Sequence, residues 1–260
     1  MAKGDRRVLK VNNLTGGYHR SAPLLKNVTL SVAEGEWVAL VGLNGAGKST
    51  LLKHMIGLMD PYQGDITIGG ISRAKNPETY RRQFFYIPEM PIFYDELSLY
   101  EHLRMTAMVY GLDEATFSDR ASELLRAYRL EQAKDRLPIY FSKGMRQKMH
   151  IVQALLLSPP LYILDEPLLG LDPLGMQTLL EALAAERDNG RAILMSTHLL
   201  SMAARWCDRF VVMHEGRILW SGTLKEMEQE VYGPEGNVPS YAVDGLYLDL
   251  LKRLGGEIDV

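Results

Sequence analysis

The chain has 260 residues, 47% of them apolar and 23% charged, with 29 Lys and Arg against 32 Asp and Glu for a net charge of −3. That balance fits a folded protein of about one to two domains. It excludes a collagen, a disordered tail and a disulfide scaffold, and it lacks the basic excess of a nucleic-acid binder. The single cysteine, Cys207, cannot form an internal disulfide. No apolar run approaches the ~20 residues of a bilayer-spanning helix, and the first residues, MAKGDRRVLKVNN, contain no apolar signal segment. A soluble, cytoplasmic protein is expected.

Along the chain, residues 8–11, 28–32 and 66–68 are short apolar stretches separated by Gly and polar residues, the pattern of an antiparallel sheet. Trp37–Val41 is different: it is apolar without alternation, as in a strand buried on both faces of a parallel sheet. Residues 161–164, 192–195 and 210–213 repeat that form. Between the two kinds of strand, residues 49–59 place Leu51, Leu52, Met55, Ile56 and Met59 on one helical face, with Asp60-Pro61 expected to end the helix. Residues 97–138 have helical spacing and many charges, which predicts a helical insertion. A further helix runs from Ser142 to Leu157, and another over residues 173–188, stopped by Asn189-Gly190. Residues 209–213 and 217–220 form a hairpin around His214-Glu215-Gly216. After the breaker cluster 233–239, a last helix carries Leu246, Leu250, Leu251 and Leu254 on one side.

Chemistry enters at the ends of the buried strands. Gly42-Leu-Asn-Gly-Ala-Gly-Lys-Ser-Thr50 follows Trp37–Val41 and opens a helix, and it matches the phosphate-loop pattern G-x-x-x-x-G-K-[ST]. Gly42, Gly45 and Gly47 let the backbone wrap a phosphate chain without a Cβ clash, and the N–H groups of the loop, Asn44 and Ala46 included, face the anion with the helix start of Ser49 and Thr50. Lys48 reaches the β- and γ-phosphates, and the Ser49 hydroxyl suits Mg²⁺. The run Leu161-Tyr-Ile-Leu-Asp165-Glu166 ends in two carboxylates, Asp165 for the metal and Glu166 for the attacking water. Ala192-Ile-Leu-Met-Ser-Thr-His198 ends in a histidine that could hydrogen-bond a γ-phosphate; on its own His198 reads rather as an ordinary loop residue. Ser142 is placed as an N-cap, and Gly144 allows close backbone approach; together they make either a second anion site or simply a capped helix.

As an ordered set these residues resemble the nucleotide-binding subunit of ABC transporters over about residues 6–230. The resemblance implies an α/β fold with a P-loop NTPase (RecA-like) core, an antiparallel β-subdomain and a helical subdomain at about residues 90–158. Residues 231–260 then form a short extension. By the same resemblance Tyr18 stacks on adenine, and Lys48, Glu166 and His198 serve hydrolysis of ATP. Ser49, Glu89 and Asp165 serve Mg²⁺. A homodimer closes head to tail, so that Ser142 and Gly144 meet the ATP held by the other copy. Three residues at two motifs depart from the family pattern. Lys143 and Met145 interrupt the usual LSGGQ signature, the lysine facing either the triphosphate or solvent. Glu89, in Phe85-Tyr-Ile-Pro88-Glu89, stands where a glutamine is usual; it keeps an oxygen for metal or water but loses the amide donor.

Asn13-Leu-Thr-Gly-Gly-Tyr18, Ile56-Gly-Leu-Met-Asp-Pro61 and Leu246-Tyr-Leu-Asp-Leu250 narrow the likeness to the ATPase subunits of Ecs-type exporters, the EcsA type. This implies an integral-membrane partner of the EcsB type and a place on the cytoplasmic face of the membrane. Pro91, Phe93, Tyr94 and Leu97 are candidates for the wall of the docking groove, or else local core. A soluble ABC ATPase acting on nucleic acid or the ribosome is the alternative. It is disfavoured by the charge and by the lack of a coiled-coil insertion, zinc ligands or a second cassette; no nucleic acid is expected. The final helix is left as a docking element, a dimer element or a cap.

Overall fold

A computed structural model describes residues 6–233 and 243–254. Burial along the strands sorts them into two sheets. β1 (Arg7–Gly16) and β2 (Leu25–Ala33) alternate, burying Leu9, Val11, Val28, Leu30 and Val32 with exposed residues between them. β3 (Trp37–Val41) is buried at every position. β4 (Gln63–Ile68) and β5 (Ile71–Ser72) complete an antiparallel sheet in the order β2-β1-β4-β5. β3 instead joins β6 (Phe84–Ile87), β7 (Leu161–Asp165), β8 (Ala192–Thr197), β9 (Arg209–His214) and β10 (Arg217–Gly222) in the order β10-β9-β3-β8-β7-β6. Neighbours in this sheet are parallel except for the β9–β10 hairpin. The unbroken apolar strands are therefore covered on both sides, as expected.

The period of two then sets what each face meets. Trp37, Ala39 and Val41 of β3 share a core with Tyr162, Leu164, Ile193 and Met195 and with the helices on that face. Val38 and Leu40 point the other way, onto Leu51, Leu52 and Met55 and the antiparallel sheet. Leu51, Leu52 and Met55 belong to α1 (Lys48–Met55), which is shorter than the expected 49–59. Gly57 takes φ 84° and ends the helix. Its N–H donates to the His54 carbonyl at 3.2 Å, and that of Leu58 to the Lys53 carbonyl at 2.9 Å, a Schellman closure. Leu58 is left exposed, and the Asp60-Pro61 breaker is never needed.

α2 (Pro77–Arg81) is short and capped by Asn76. α3 (Leu99–Tyr110) opens on a capping box of Ser98 and Glu101 and closes at Gly111 in the left-handed region. α4 (Glu114–Ala127) is capped by Asp113, and α5 (Lys143–Leu157) by Ser142. Phe117, Leu125, Leu103 and Met149 pack these three helices on each other and onto the parallel sheet. α6 (Pro173–Asp188) follows an Asp172 cap, and its C-cap is Asn189 with Gly190 at φ 87° beyond it, as read from the sequence. α7 (Leu200–Ala203) and α8 (Leu224–Tyr232) cover the same sheet face near β9 and β10. The last helix, α9 (Val243–Arg253), buries Leu246, Leu250 and Leu251 completely and packs on α7 and α8. It thus covers part of the core, as a docking element, a dimer element or a cap would each do. Leu254, expected on the same side, lies past the helix end and is 37% exposed. Of the breaker cluster only Gly233 is described; the remainder falls outside the described residues. Among the described residues no helix is long and apolar enough to cross a membrane.

The β9–β10 turn shows how tightly the sheet edge is joined to the loop after β3. Gly216, at φ 75°, donates its N–H to the Ala46 carbonyl at 2.9 Å and accepts from the Lys26 N–H at 2.9 Å. A Cβ at Gly216 would collide with the Leu24 carbonyl oxygen. Gly216→Ala is expected to cost about 2–3 kcal/mol of stability, from the left-handed backbone and the overpacking together. A urea unfolding midpoint equal to the wild-type one would contradict this.

Candidate functional site

Each strand of the parallel sheet delivers polar residues at its C-terminal tip. β3 runs into the glycine-rich loop, where a Cβ on Gly42 would lie 2.6 Å from the Met213 carbonyl oxygen and 2.9 Å from the Ala46 Cβ. Gly45 and Gly47 adopt φ 82° and 104°, conformations open to glycine. The Ala46 N–H donates to the Leu43 carbonyl at 3.1 Å, closing the turn. α1 then starts at Lys48 with no side-chain cap and no acidic residue in its first turn. Its first N–H groups and the positive end of its dipole are left for an anion.

The Lys48 side chain folds back along the loop. Its Nζ donates to the Gly42 carbonyl at 2.6 Å and to the Leu43 carbonyl at 3.3 Å. Burial lowers its pKa from the ordinary lysine value, while Glu166, Asp165 and Glu89 pull it back up. A phosphate at the loop would offer this cation a charged partner in place of two carbonyls.

Asp165, at the tip of β7, is 4% exposed. Its Oδ1 accepts from the Ser196 hydroxyl at 2.5 Å, and its Oδ2 faces the Tyr86 hydroxyl at 3.5 Å. Burial, reinforced by Asp165, raises the Tyr86 pKa, so the phenol stays protonated and can only donate towards the carboxylate. Glu166 is forced out of the strand: its φ is 46°, and its N–H donates to both the carbonyl and the hydroxyl of Ser196, at 3.2 and 3.1 Å. A non-glycine residue in that region stores strain of about 1–3 kcal/mol. The turn aims the Glu166 carboxylate at His198, whose Nδ1 lies 3.0 Å from Oε2.

These tips enclose a cavity of about 330 Å³ that gathers Asn44, Gly45, Ala46, Gly47, Lys48, Ser49, Thr50, Glu89, Asp165, Glu166 and His198. Leu24 and Leu169 also line it, and nothing in the sequence pattern pointed to either. Gly42 lies just behind this lining, where it holds Lys48. Ser196 escaped the sequence reading too, although a hydroxyl two places before His198, where an apolar strand turns polar, was the available signal.

The donors expected for a metal are all hard oxygens, of Ser49, Glu89 and Asp165. Among the described residues no three His, Cys, Asp or Glu side chains cluster to hold an ion by themselves. An Mg²⁺ here fits only as an ion sharing Ser49 and carboxylate oxygens with water and phosphate, the usual habit of Mg²⁺. Because one Asp165 oxygen is already taken by Ser196, contact through water suits this residue.

Three expected residues stand apart from the cavity lining. Tyr18 is 59% exposed; Lys53 donates to its hydroxyl at 3.1 Å and sits 5.5 Å from its ring centroid. Ser142 and Gly144 lie at the start of α5. The Ser142 hydroxyl accepts the Met145 N–H at 3.3 Å. Gly144 does allow a close approach, but within the chain: a Cβ there would lie 2.9 Å from the Gly170 carbonyl oxygen. Lys143 is exposed, with its stem along Gly170. Further along α5, the Gln147 amide donates to the Pro167 carbonyl at 3.2 Å. Of the residues suggested for a groove wall, Phe93 is half-buried under the Arg146 guanidinium, 4.9 Å from its ring centroid. Tyr94 is exposed, and Pro91 and Leu97 are half-buried. Met90 and Ile92 add exposed apolar surface beside them.

Residues 25–169 match the family model described as ABC transporter. The chain is 47% identical over 249 residues to the ABC-type transporter ATP-binding protein EcsA of Bacillus subtilis (strain 168), covering 96% of this chain and 98% of that protein. It is 41% identical over 220 residues to the uncharacterized ABC transporter ATP-binding protein YthP of the same organism, covering 85% and 88%. Among solved structures, an ATP-binding subunit of an ABC transporter superposes with a TM-score of 0.88 at 51% identity, covering 94% of this chain and 99% of that one.

Ser196 is the hinge between the two carboxylates, since one hydroxyl serves both Asp165 and the Glu166 N–H. Ser196→Ala is expected to lower ATP turnover about 10-fold or more, as loss of an outer partner of a site carboxylate does. Steady-state turnover equal to wild type would remove Ser196 from the site.

Proposed function

The chain belongs to the ABC transporter ATP-binding proteins, and on that footing we propose that it binds ATP with Mg²⁺ at the loop after β3 and hydrolyses it to drive a separate integral-membrane subunit. The observation that carries the site assignment is the meeting of Lys48, Asp165, Glu166 and His198, from three strand tips, in one cavity. In this reading residues 1–230 are the ATPase cassette, with a helical subdomain at about 90–158, and 231–260 are an extension. Likeness to EcsA supports an exporter with an EcsB-type partner, and hence a place on the cytoplasmic face of the membrane.

The loop amides and the uncapped start of α1 take the phosphates, and Lys48 leaves the Gly42 and Leu43 carbonyls for phosphate oxygens. Ser49, with Asp165 through water and Glu89 in reach, would hold an Mg²⁺, which would supply charge neutralisation for the phosphates. Glu166 accepts a proton from the attacking water, and His198 holds its carboxylate in place and meets the γ-phosphate. The exposed ring of Tyr18 gives adenine a stacking face. Ser142 and Gly144, at the start of α5, serve the ATP of a second copy, so the working form is a homodimer. The exposed apolar residues from Met90 to Tyr94 suit the membrane subunit's cytoplasmic face. No nucleic acid is expected, consistent with the net charge of −3.

Glu166→Gln is expected to keep ATP binding while slowing hydrolysis about 10²-fold or more, trapping an ATP-bound dimer visible by size-exclusion chromatography. Unchanged turnover would sink the role of Glu166. Lys48→Ala should weaken ATP binding about 10-fold or more through loss of a charge-assisted contact; a nucleotide titration with wild-type affinity would count against the loop as the triphosphate site. Co-purification of the tagged chain with a multispanning membrane protein tests the partnership, and recovery with nucleic acid instead would contradict it.

A further inference from the structure

We propose that Tyr247, on the C-terminal helix, is a positioning residue that sets the conformation of the phosphate loop from far along the chain. The Leu43 N–H donates to the Tyr247 hydroxyl at 2.9 Å, across a sequence separation of 204 residues. A glycine-rich loop has few side chains with which to hold itself, so its shape depends on restraints brought from elsewhere. Two such restraints stand out. The Gly216 N–H grips the Ala46 carbonyl from the β9–β10 turn, and Tyr247 grips the Leu43 N–H from α9.

The peptide joining Gly42 to Leu43 is the sensitive one. Its carbonyl, that of Gly42, accepts from Lys48 Nζ at 2.6 Å, while its N–H, that of Leu43, has Tyr247 as partner. Tyr247 therefore fixes the plane of the peptide that orients the lysine. The tyrosine is itself well held: it is 7% exposed, between the fully buried Leu246 and Leu250 on a helix that also buries Leu251. α9 is tied to α8 by the Tyr232 hydroxyl on Asp249 at 2.8 Å and by Arg253 on the Val231 carbonyl at 3.1 Å. Beside the Leu43 contact a cavity of about 350 Å³ opens between the loop, His198, Leu200 and the α9 residues Tyr247 and Leu248. The helix thus borders the loop and the histidine together.

Loosening a restraint on the loop costs preorganisation for the phosphates and leaves Glu166 and His198 where they are. Binding should suffer and the chemical step should not. The inference rests on the reading of the loop as the ATP site. In the full chain, Tyr247→Phe is expected to raise the KM and the Kd for ATP about 5-fold, the worth of one hydrogen bond, with kcat unchanged and faster hydrogen exchange at the Leu43 amide. Tyr232→Phe, which removes a hydroxyl that joins α9 to α8 without touching the loop, is expected to leave KM at its wild-type value. Wild-type KM in Tyr247→Phe would overturn the proposal, as would an equal rise in Tyr232→Phe, which would assign the effect to helix attachment. An unprotected Leu43 amide in the wild-type chain would overturn it without any variant. A wild-type chain that bound no ATP would sink the site reading and this inference together.

Discussion

The register of the parallel sheet is the constraint on which the site depends. Val41 lies opposite Thr197 and Asp165 opposite Ser196, so β3, β7 and β8 end level with one another. The residues that follow, Gly42, Glu166 and His198, therefore leave the sheet along one rim. A shift of one residue in any of these pairings would turn side chains to the opposite face and carry the carboxylates away from the lysine. The sheet holds register because both of its faces are buried, by helices on one side and by α1 and the antiparallel sheet on the other. Core packing and site geometry are thus one arrangement.

The chain itself supplies partners for the charges of the site. Lys48 has two carbonyls, Asp165 has Ser196, and Glu166 has His198. In the proposed reading a triphosphate at the loop would exchange the neutral partners of Lys48 for anionic ones, while the carboxylate side keeps its own supports. This is why the loop can be both buried and ready: no charge waits unpaired in a poorly solvated place, which would be costly.

Much of this was legible in the sequence because it rests on local pattern. The unbroken apolar runs identified the parallel strands, the phosphate-loop spacing placed Lys48 and Ser49, and the Asp165-Glu166 pair marked a strand tip. What escaped was long-range or masked by a stronger signal. The end of α1 was assigned to Asp60-Pro61, when Gly57 had already closed the helix. β6 has only four residues, too short a run to separate from a loop even with Pro88 directly after it. Ser196 and Tyr86 matter through their reach to Asp165, from strands on either side of β7. Tyr247 meets Leu43 only because α9 folds back over the sheet. No periodicity encodes such contacts.

The start of α5 has one further consequence. Gly144 packs against the Gly170 carbonyl, Lys143 lies along the same residue, and Gln147 holds the Pro167 carbonyl. The segment after Glu166 is therefore bolted to the helix whose first turn, in the proposed dimer, reaches the other copy's ATP. The two nucleotides of such a dimer are connected in series. In that dimer a displacement where one is cleaved would be transmitted through these contacts to the grip on the other.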